Sequence, residues 1–429
     1  MILLCYLFLG VFLILIISYY LRKTGWSLFV YSTIYLFLFY VLTPIISLLI
    51  FNTDIINNLQ LAYNIPNQAD NELMILTFLA IFIGLSFFLI GYNRNIKINI
   101  TKILPKQVGN KNLPTVFILI IFFLSLIGLF LYIRGFGSIS SAIANANLVR
   151  SGYYLDVSDG NTSHTFFFRF IFLALIPLLY FYFNKKISNS LRYPIIVGCF
   201  IILGILYFFL SPGRQSIFDL ILIFIFATML GKRQVINKKI LFFGILVFFL
   251  LPILNSFFIE RSFNSINYSN SILEVILNEF GFPYYSLSHA INENYSYFYF
   301  SDFLSGSFGR IFPSSWNPGI ESSNYLNSSY MLGRSVKSIP PGILAQGFYS
   351  LGFVGIIIVS FFTGIIFKVL DTYFAKASIL NANFNYIYAY FIVSSMVWVR
   401  TGLPANYFYN LTFMTFIIFF FTMYKFKNS

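Results

Sequence analysis

Residues 73–91 read LMILTFLAIFIGLSFFLIG, nineteen positions without a charged side chain. A helix of about 20 apolar residues spans the ~30 Å hydrocarbon core of a bilayer. A basic loop follows directly and contains Arg94, Lys97, Lys102, Lys106 and Lys111. Because loops rich in Lys and Arg stay on the cytoplasmic side, this segment and its loop predict a membrane span and its direction together.

The same pattern recurs along the chain and defines its class. Of the 429 residues, 59% are hydrophobic and 9% are charged, whereas soluble domains carry about 25% charged residues. We predict an all-α polytopic membrane protein with about 11 transmembrane helices, since uninterrupted apolar runs do not fit the alternating strands of a membrane barrel. The predicted spans cover about Ile2–Leu21, Leu28–Ile50, Leu73–Gly91, Pro114–Ile133, Thr165–Phe183, Pro194–Leu210, Ser216–Leu230, Ile240–Ile259, Gly352–Phe367, Tyr386–Val399 and Ala405–Tyr424.

These spans divide the chain into three regions. Residues 1–259 contain spans one to eight, with exterior loops at 51–72 and 134–164, and residues 339–429 contain spans nine to eleven. Between them, residues 260–338 form a large extracytoplasmic loop. Of the 27 Lys and Arg residues, 18 fall in predicted cytoplasmic segments, which places the N-terminus outside and the C-terminus in the cytoplasm.

The large loop contains local helix signals. A capping-box pattern at Ser271 predicts a helix that ends near Gly281 and lies on the membrane surface. A second short helix is predicted to start at Pro283 and to carry His289. Residues 306–338 are rich in Ser, Asn, Gly and Pro, and we predict that they are irregular.

Two other segments are predicted to lie at the membrane–water boundary. Residues 140–149 predict a short interfacial helix in the exterior loop before span five. Residues 295–300 are nearly all aromatic, and we interpret most of these rings as part of an interfacial aromatic belt. The alternative is that some of them stack on sugar rings.

Eight of the nine basic residues outside the predicted cytoplasmic segments are arginines, whereas the cytoplasmic ones are mostly lysines. Lysine suffices as a topological charge, but a planar guanidinium binds phosphate through two parallel hydrogen bonds. Taken together, these exterior arginines favour binding of an anionic ligand, such as a lipid diphosphate, at the outer face. The alternative is that each arginine only snorkels to water or pairs with a nearby carboxylate. These residues are Arg134, Arg150, Arg169, Arg214, Arg261, Arg310, Arg334 and Arg400.

Several enzyme classes lack support in the sequence. It contains no Gly-rich nucleotide loop, no Gly-x-Ser-x-Gly elbow and only 2 histidines, so we expect neither a metal nor a cofactor. Cys5 and Cys199 lie in apolar spans and are interpreted as buried hydrophobic residues. Asp219 is the one acidic residue within a predicted span, and we expect it to pair with an arginine such as Arg169.

The segment around residue 340 carries a resemblance to a known family. It reads Ile339-Pro340-Pro341-Gly342, followed by Gln346-Gly347-Phe348-Tyr349-Ser350-Leu351-Gly352-Phe353-Val354-Gly355. Together with the Ser-Pro-Gly-Arg214 turn, the many spans and the late exterior loop, it resembles bacterial O-antigen or capsule repeat-unit polymerases of the Wzy type. Such proteins commonly have an acidic residue before an aromatic–Gly–x–x–Gly helix start. Gln346 stands at that acidic position, which favours hydrogen bonding or helix entry over catalysis for this residue.

The resemblance implies a reaction, a location and partners. A growing glycan on undecaprenyl pyrophosphate would be transferred to the sugar end of another lipid-linked repeat unit, on the outer face of the bacterial inner membrane. The fold would resemble metal-independent, multi-span (GT-C-like) glycosyltransferases. The partners would be the lipid-linked glycan donor and acceptor and membrane lipid; a chain-length regulator stays open, and no nucleic acid is implied.

Residue roles also follow from the resemblance. Exterior arginines are typical of the family, which implies catalytic roles for Arg214, Arg310 and Arg334. An acceptor hydroxyl needs a general base, for which Glu279, His289 and Glu321 are candidates, each with a purely structural role as the alternative. The candidate substrate-binding residues are Arg150, Arg261, Arg400, Gln346 and Tyr349.

Three other functions remain as alternatives. An O-antigen ligase also has a large outer loop with Arg and His, so His289 keeps that assignment open. A flippase or transporter for the lipid-linked sugar usually has two similar halves, and this chain has no internal repeat. A membrane O-acyltransferase would need an intramembrane histidine, for which His164, at the edge of a span, is the only weak candidate.

Overall fold

The architecture is known from a computed structural model of the chain. It describes these residues: 1–49, 71–96, 105–107, 113–151, 202–203, 210, 222–223, 225–231, 277, 280–293, 296–301, 323–332, 339–380, 384–402 and 424–426.

The N-terminal part forms the three predicted spans. Ser27 begins the second span as an N-cap whose side chain accepts a hydrogen bond from Val30 N, and Gly25 ends the first with a φ of 71°. A single π-helical turn, Leu38–Leu42, interrupts the second span. The elements are α1 (Ile2–Thr24), α2 (Leu28–Phe37), α3 (Thr43–Leu49) and α4 (Asn71–Asn93).

The fourth predicted span and the helix after it are also present. Helix α5 covers Leu113–Phe136 and α6 covers Ile139–Ser151. The two are bent by 79° at the short break between them. This confirms a helix at residues 140–149, and its position at the membrane surface stays a prediction.

Two short helices lie within the predicted extracytoplasmic loop. Helix α7, Phe282–Asn292, has a proline in its first turn, which confirms the helix predicted from Pro283. Helix α8 covers Ser323–Leu332, so the prediction of irregular structure for residues 306–338 is wrong at these ten positions. The Ser- and Asn-rich composition resembles a loop, but these side chains hydrogen bond to other elements, as shown below.

The ninth predicted span belongs to a longer, broken helix. Helix α9 covers Gly342–Leu380 and is interrupted at Leu351 and Gly352, where Gly352 has a φ of 59° that favours glycine. We call residues 342–350 the entry arm and residues 353–380 the long arm. The helix continues for more than three turns beyond Phe367, the predicted end of this span.

The arms of α9 fold against each other and against α4 through glycines. An added Cβ on Gly355 would lie 1.9 Å from Gly347 O, so the two arms form a tight helical hairpin. Helix α4 packs on this hairpin: Gly84 faces the side chains of Leu344 and Ile356, one from each arm, and Gly91 faces Phe361 O. Residue numbers rise together along both helices, so α4 and the long arm run parallel, as the predicted directions of spans three and nine require.

The last elements are α10 and a small strand pair. Helix α10 covers Phe384–Thr401, which confirms a helix at the tenth predicted span. Strands β1 (Pro105–Gln107) and β2 (Tyr424–Phe426) pair antiparallel, a small exception to the all-α expectation. The pairing brings the loop after α4 together with the C-terminal segment, and the charge pattern predicts both on one side of the membrane.

The chain is a helical membrane protein. Within the described ranges, four helices are long and apolar enough to cross a bilayer, and the bent α5–α6 pair would make a fifth. These helices are Ile2–Thr24, Leu28–Leu49, Asn71–Asn93 and Gly342–Ser378. The number of eleven spans stays a prediction, since spans five to eight and eleven fall largely outside the described residues.

Candidate functional site

The entry arm begins inside the helix bundle. Leu344 lies against Gly84, midway along α4, and Gly342 lies against the hydroxyl of Tyr40 in the π-helical turn. From there the arm runs back to the break at Leu351, where the hairpin turns into the long arm. We call this segment re-entrant, because it starts beside the middle of α4, the predicted third span, and returns toward the predicted outer end.

The π-helical turn supports the start of the entry arm. Pro44 follows the turn and lacks a backbone N–H, which disturbs the regular hydrogen-bond ladder at this point. Thr43 Oγ1 donates to Leu38 O at 3.0 Å. The buried Tyr40 hydroxyl accepts from Leu344 N at 3.4 Å, which satisfies an N–H that has no partner within the helix.

Helix α8 satisfies the non-helical backbone that precedes the arm. Asn327 Nδ2 donates to Ile339 O at 3.0 Å and to Ser286 Oγ at 2.9 Å, and Asn327 Oδ1 accepts from the Tyr349 hydroxyl at 3.1 Å. Ser328 Oγ accepts from Ile339 N. Buried backbone without helical hydrogen bonds needs such protein partners, so α8 stabilises the start of the re-entrant segment.

Gln346 occupies the centre of the entry arm and is fully buried. Its Oε1 accepts a hydrogen bond from Ser323 Oγ, which is the hydrogen-bonding role that its place in the motif favours. Gly402 packs closely on this side chain, because an added Cβ there would lie 2.5 Å from Gln346 Cβ. The half-buried Arg400 lies two residues earlier, in the last turn of α10.

Helix α7 brings His289 into the same region. Ser286, one turn before His289, joins α7 to α8 through Asn327, and Tyr285 shares a hydrogen bond of 3.0 Å with Ser47 of α3. Burial raises the pKa of Tyr285 to about 12, so its hydroxyl stays protonated at neutral pH. His289 itself is buried, with 4% of its surface exposed.

The described part of the site is thus a buried polar network between α7, α8 and the entry arm. It brings together the predicted residues Gln346 and Tyr349 and places His289 and Arg400 on the adjoining helices. Arg150 lies in α6. Arg214, Arg261, Glu279, Arg310, Glu321 and Arg334 fall outside the described residues, so their roles stay predictions.

Sequence reasoning missed Asn327 and Ser323, the residues that organise this network. In sequence they belong to a polar run that resembles a loop. A signal was present: Ser323, Asn327 and Met331 recur every four residues, and all three are buried on one face of α8.

A second buried polar cluster, also missed, lies at the opposite end of the bundle. The Asp371 carboxylate accepts from Leu28 N at 2.8 Å and Phe29 N at 3.3 Å, which caps the start of α2. It also accepts from the hydroxyls of Tyr388 at 2.8 Å and Tyr92 at 3.0 Å. Asp371 lies in α9 four residues beyond Phe367, the predicted end of span nine, and Asp219 falls outside the described residues, so its role stays a prediction. The sequence contains a signal that the helix continues beyond Phe367. Buried residues recur there at helical spacing: Phe367, Asp371, Phe374 and Ala377.

Comparison of the chain with protein-family models, with curated proteins and with solved structures finds no match. A functional assignment therefore depends on the sequence pattern and on the geometry described above.

Proposed function

We propose that this protein polymerises oligosaccharide repeat units linked to undecaprenyl pyrophosphate, on the outer face of the bacterial inner membrane. The product would be an O-antigen or capsular polysaccharide. The sequence support is the resemblance around Ile339–Gly355 and the arginines of the predicted outer segments.

The structural observation that carries the proposal is the re-entrant entry arm with its buried polar network. Polar residues inside a membrane protein are costly and usually mark a substrate site, and broken helices often form such sites in membrane proteins. Gln346 and Tyr349 lie in this arm, which is the segment that carries the family-like motif. The site lies toward the predicted outer end, the side from which a lipid-linked glycan would approach.

The chemistry follows from the residue types. The acceptor hydroxyl oxygen forms a bond to the anomeric carbon of the donor glycan, while the bond from that carbon to the diphosphate oxygen breaks. The hydroxyl proton passes to a general base, for which Glu279, His289 and Glu321 remain the candidates. The diphosphate leaves on its lipid, and Arg214, Arg310 and Arg334 would stabilise its developing charge.

Deletion of the gene in its host distinguishes the proposal from its alternatives. Loss of the polymerase leaves a surface glycan with a single repeat unit. Loss of a flippase removes the glycan, and loss of a ligase leaves full polymer on the lipid carrier. Either of the last two patterns would contradict the proposal.

Complementation of the deletion with arginine variants tests the residues. We expect Arg214→Ala, Arg310→Ala and Arg334→Ala to insert normally and to lose chain extension, because each removes a charge from the diphosphate site. The matched control is Arg22→Ala, an exposed arginine in the last turn of α1 on the predicted cytoplasmic side, which should extend chains normally. Normal extension by all three candidate variants would show that the site assignment is wrong.

A further inference from the structure

Residues 297–301, which we call the aromatic turn, are fixed to the outer end of the entry arm. Phe298 N donates to Tyr349 O at 3.0 Å, and Tyr299 N donates to Ser350 O at 2.9 Å. The break at Leu351 and Gly352 ends the helical ladder here, so these carbonyls can accept from outside the helix. The turn therefore sits directly beside the segment that holds the polar network.

Side chains of the aromatic turn alternate between the core and the surface. Phe298 and Phe300 are half-buried and pack on the hydrophobic core. Tyr297 and Tyr299 are 43% and 71% exposed, and their ring centroids lie 6.4 Å apart with the planes at 77°. The Tyr299 ring is thus presented outward, while the hydroxyl end of the partly exposed Tyr297 ring lies over Gly352, 3.0 Å from the position of an added Cβ.

The backbone of the turn is strained in order to do this. Among the residues that the structure describes, Tyr299 and Phe300 are the two non-glycine residues with positive φ, at 48° and 62°. Ser301 stabilises the conformation, because its N and Oγ both donate to Phe298 O, at 2.9 and 2.6 Å. Strained backbone conformations cluster at binding sites. A tyrosine that only anchors the protein at the membrane surface needs no such conformation.

We propose that Tyr297 and Tyr299 form a saccharide-binding platform that receives a pyranose ring of the lipid-linked glycan. The faces of pyranose rings expose C–H groups that pack on an aromatic face, and their hydroxyls hydrogen bond with the phenol groups at the ring edge. This inference rests on the proposed function, since it assigns the glycan part of the same substrate. It adds a binding role for tyrosines that the sequence favoured as membrane anchors.

Equilibrium binding of a delipidated oligosaccharide tests the platform. The probe is the single repeat unit of the host glycan, and the receptor is the full chain in lipid nanodiscs. We expect Tyr299→Ala and Tyr299→Leu to bind the probe about tenfold more weakly, and Tyr299→Trp to bind within about threefold of the wild type, because only the ring face is required. The leucine variant separates the two roles of Tyr299. Leucine can still anchor the protein in the membrane, but it has no ring face on which a sugar can pack.

The control is Tyr19→Ala, a tyrosine of α1 that is 55% exposed near the opposite end of the bundle and should not change binding. Thermal unfolding of each variant shows whether it folds. If Tyr299→Ala folds poorly, Tyr297→Ala or Tyr299→Leu is used in its place. If the alanine and leucine variants bind normally while the wild type extends chains, the platform is wrong and the proposed function stands. If the wild type neither binds the probe nor extends chains, both are wrong.

Discussion

At the scale of single residues, two buried polar groups hold together elements that are distant in sequence. Asn327 joins α7, α8 and both ends of the re-entrant segment through three hydrogen bonds of 2.9, 3.0 and 3.1 Å. Asp371 joins the start of α2 to α4 and α10 from its position in the long arm. Removal of either side chain takes a hydrogen bond from several buried groups at once, which makes it costly.

Replacement of Asn327 tests the first of these. Asn327→Ala should lower the free energy of unfolding by about 2–4 kcal/mol, because Ile339 O and the Tyr349 hydroxyl lose their partner. Thermal unfolding of the purified protein in micelles measures the loss. The control is Ser329→Ala in the same helix, a half-buried residue whose hydroxyl bonds to Leu326 O; equal loss in both variants would contradict the assignment.

Replacement of Asp371 tests the second. Asp371→Ala leaves two backbone N–H groups and two tyrosine hydroxyls without their acceptor, so we expect a loss of about 3 kcal/mol or more. Asp371→Asn keeps one acceptor oxygen and should lose less. Chemical unfolding compares both with Glu72→Ala, an exposed acid in the first turn of α4 that should change stability by less than about 1 kcal/mol. A wild-type stability for Asp371→Ala would show that the cluster has no structural role.

At the scale of elements, the helical hairpin of α9 depends on glycines that allow backbones to touch. Little hydrophobic driving force acts between helices in lipid, so their association depends on close packing. Small residues allow that packing because they let the backbones approach each other. Gly347 and Gly355 do this within the hairpin, while Gly91 and Gly364 do it between α4 and the long arm. The position of the entry arm, and with it the site, follows from these contacts.

A single methyl group tests the hairpin. Gly355→Ala places a Cβ 1.9 Å from Gly347 O, which neither backbone can avoid without separating the arms. We expect chain extension to fall at least about tenfold and the thermal midpoint to drop, as overpacking costs roughly 1–3 kcal/mol. The control is Gly231→Ala, where the added Cβ would meet only Asn385 Nδ2 at 3.9 Å. Normal activity in both variants would contradict this packing.

The elements also show what sequence could and could not predict. Spans one to four follow from apolar runs between basic loops, so their helices agree with the structure to within a few residues. The re-entrant arm was not predicted, since residues 342–350 carry no charge that would mark a loop and hydropathy carries no information on a turn back at Gly352. Helix α8 was missed because its Ser and Asn side chains find partners only in the folded bundle.

At the scale of the whole molecule, two buried polar clusters lie at opposite ends of one helical bundle. The end with Asp371 adjoins Lys23 and Lys368, which the charge pattern places in the cytoplasm. The end with the re-entrant arm and the aromatic turn is the predicted outer face. The strand pair of β1 and β2 would then lie on the cytoplasmic side.

Cysteine crosslinking tests this arrangement. In a chain without Cys5 and Cys199, the pair Lys106→Cys and Lys425→Cys should crosslink, because these residues face each other in the strand register. An impermeant maleimide should label either position only after the cells are opened. Lys106→Cys with Tyr299→Cys is the control pair and should not crosslink; labelling of Lys106→Cys in intact cells would show that the orientation is wrong.

Chain extension by the purified protein tests the central proposal most directly. The full chain in liposomes, supplied with repeat units on undecaprenyl pyrophosphate and no other enzyme, should produce a ladder of longer lipid-linked glycans. Arg214→Ala in the same liposomes should produce none, since the departing diphosphate loses its counter-charge. A folded wild-type protein that leaves every lipid-linked glycan at one repeat unit would contradict the proposal.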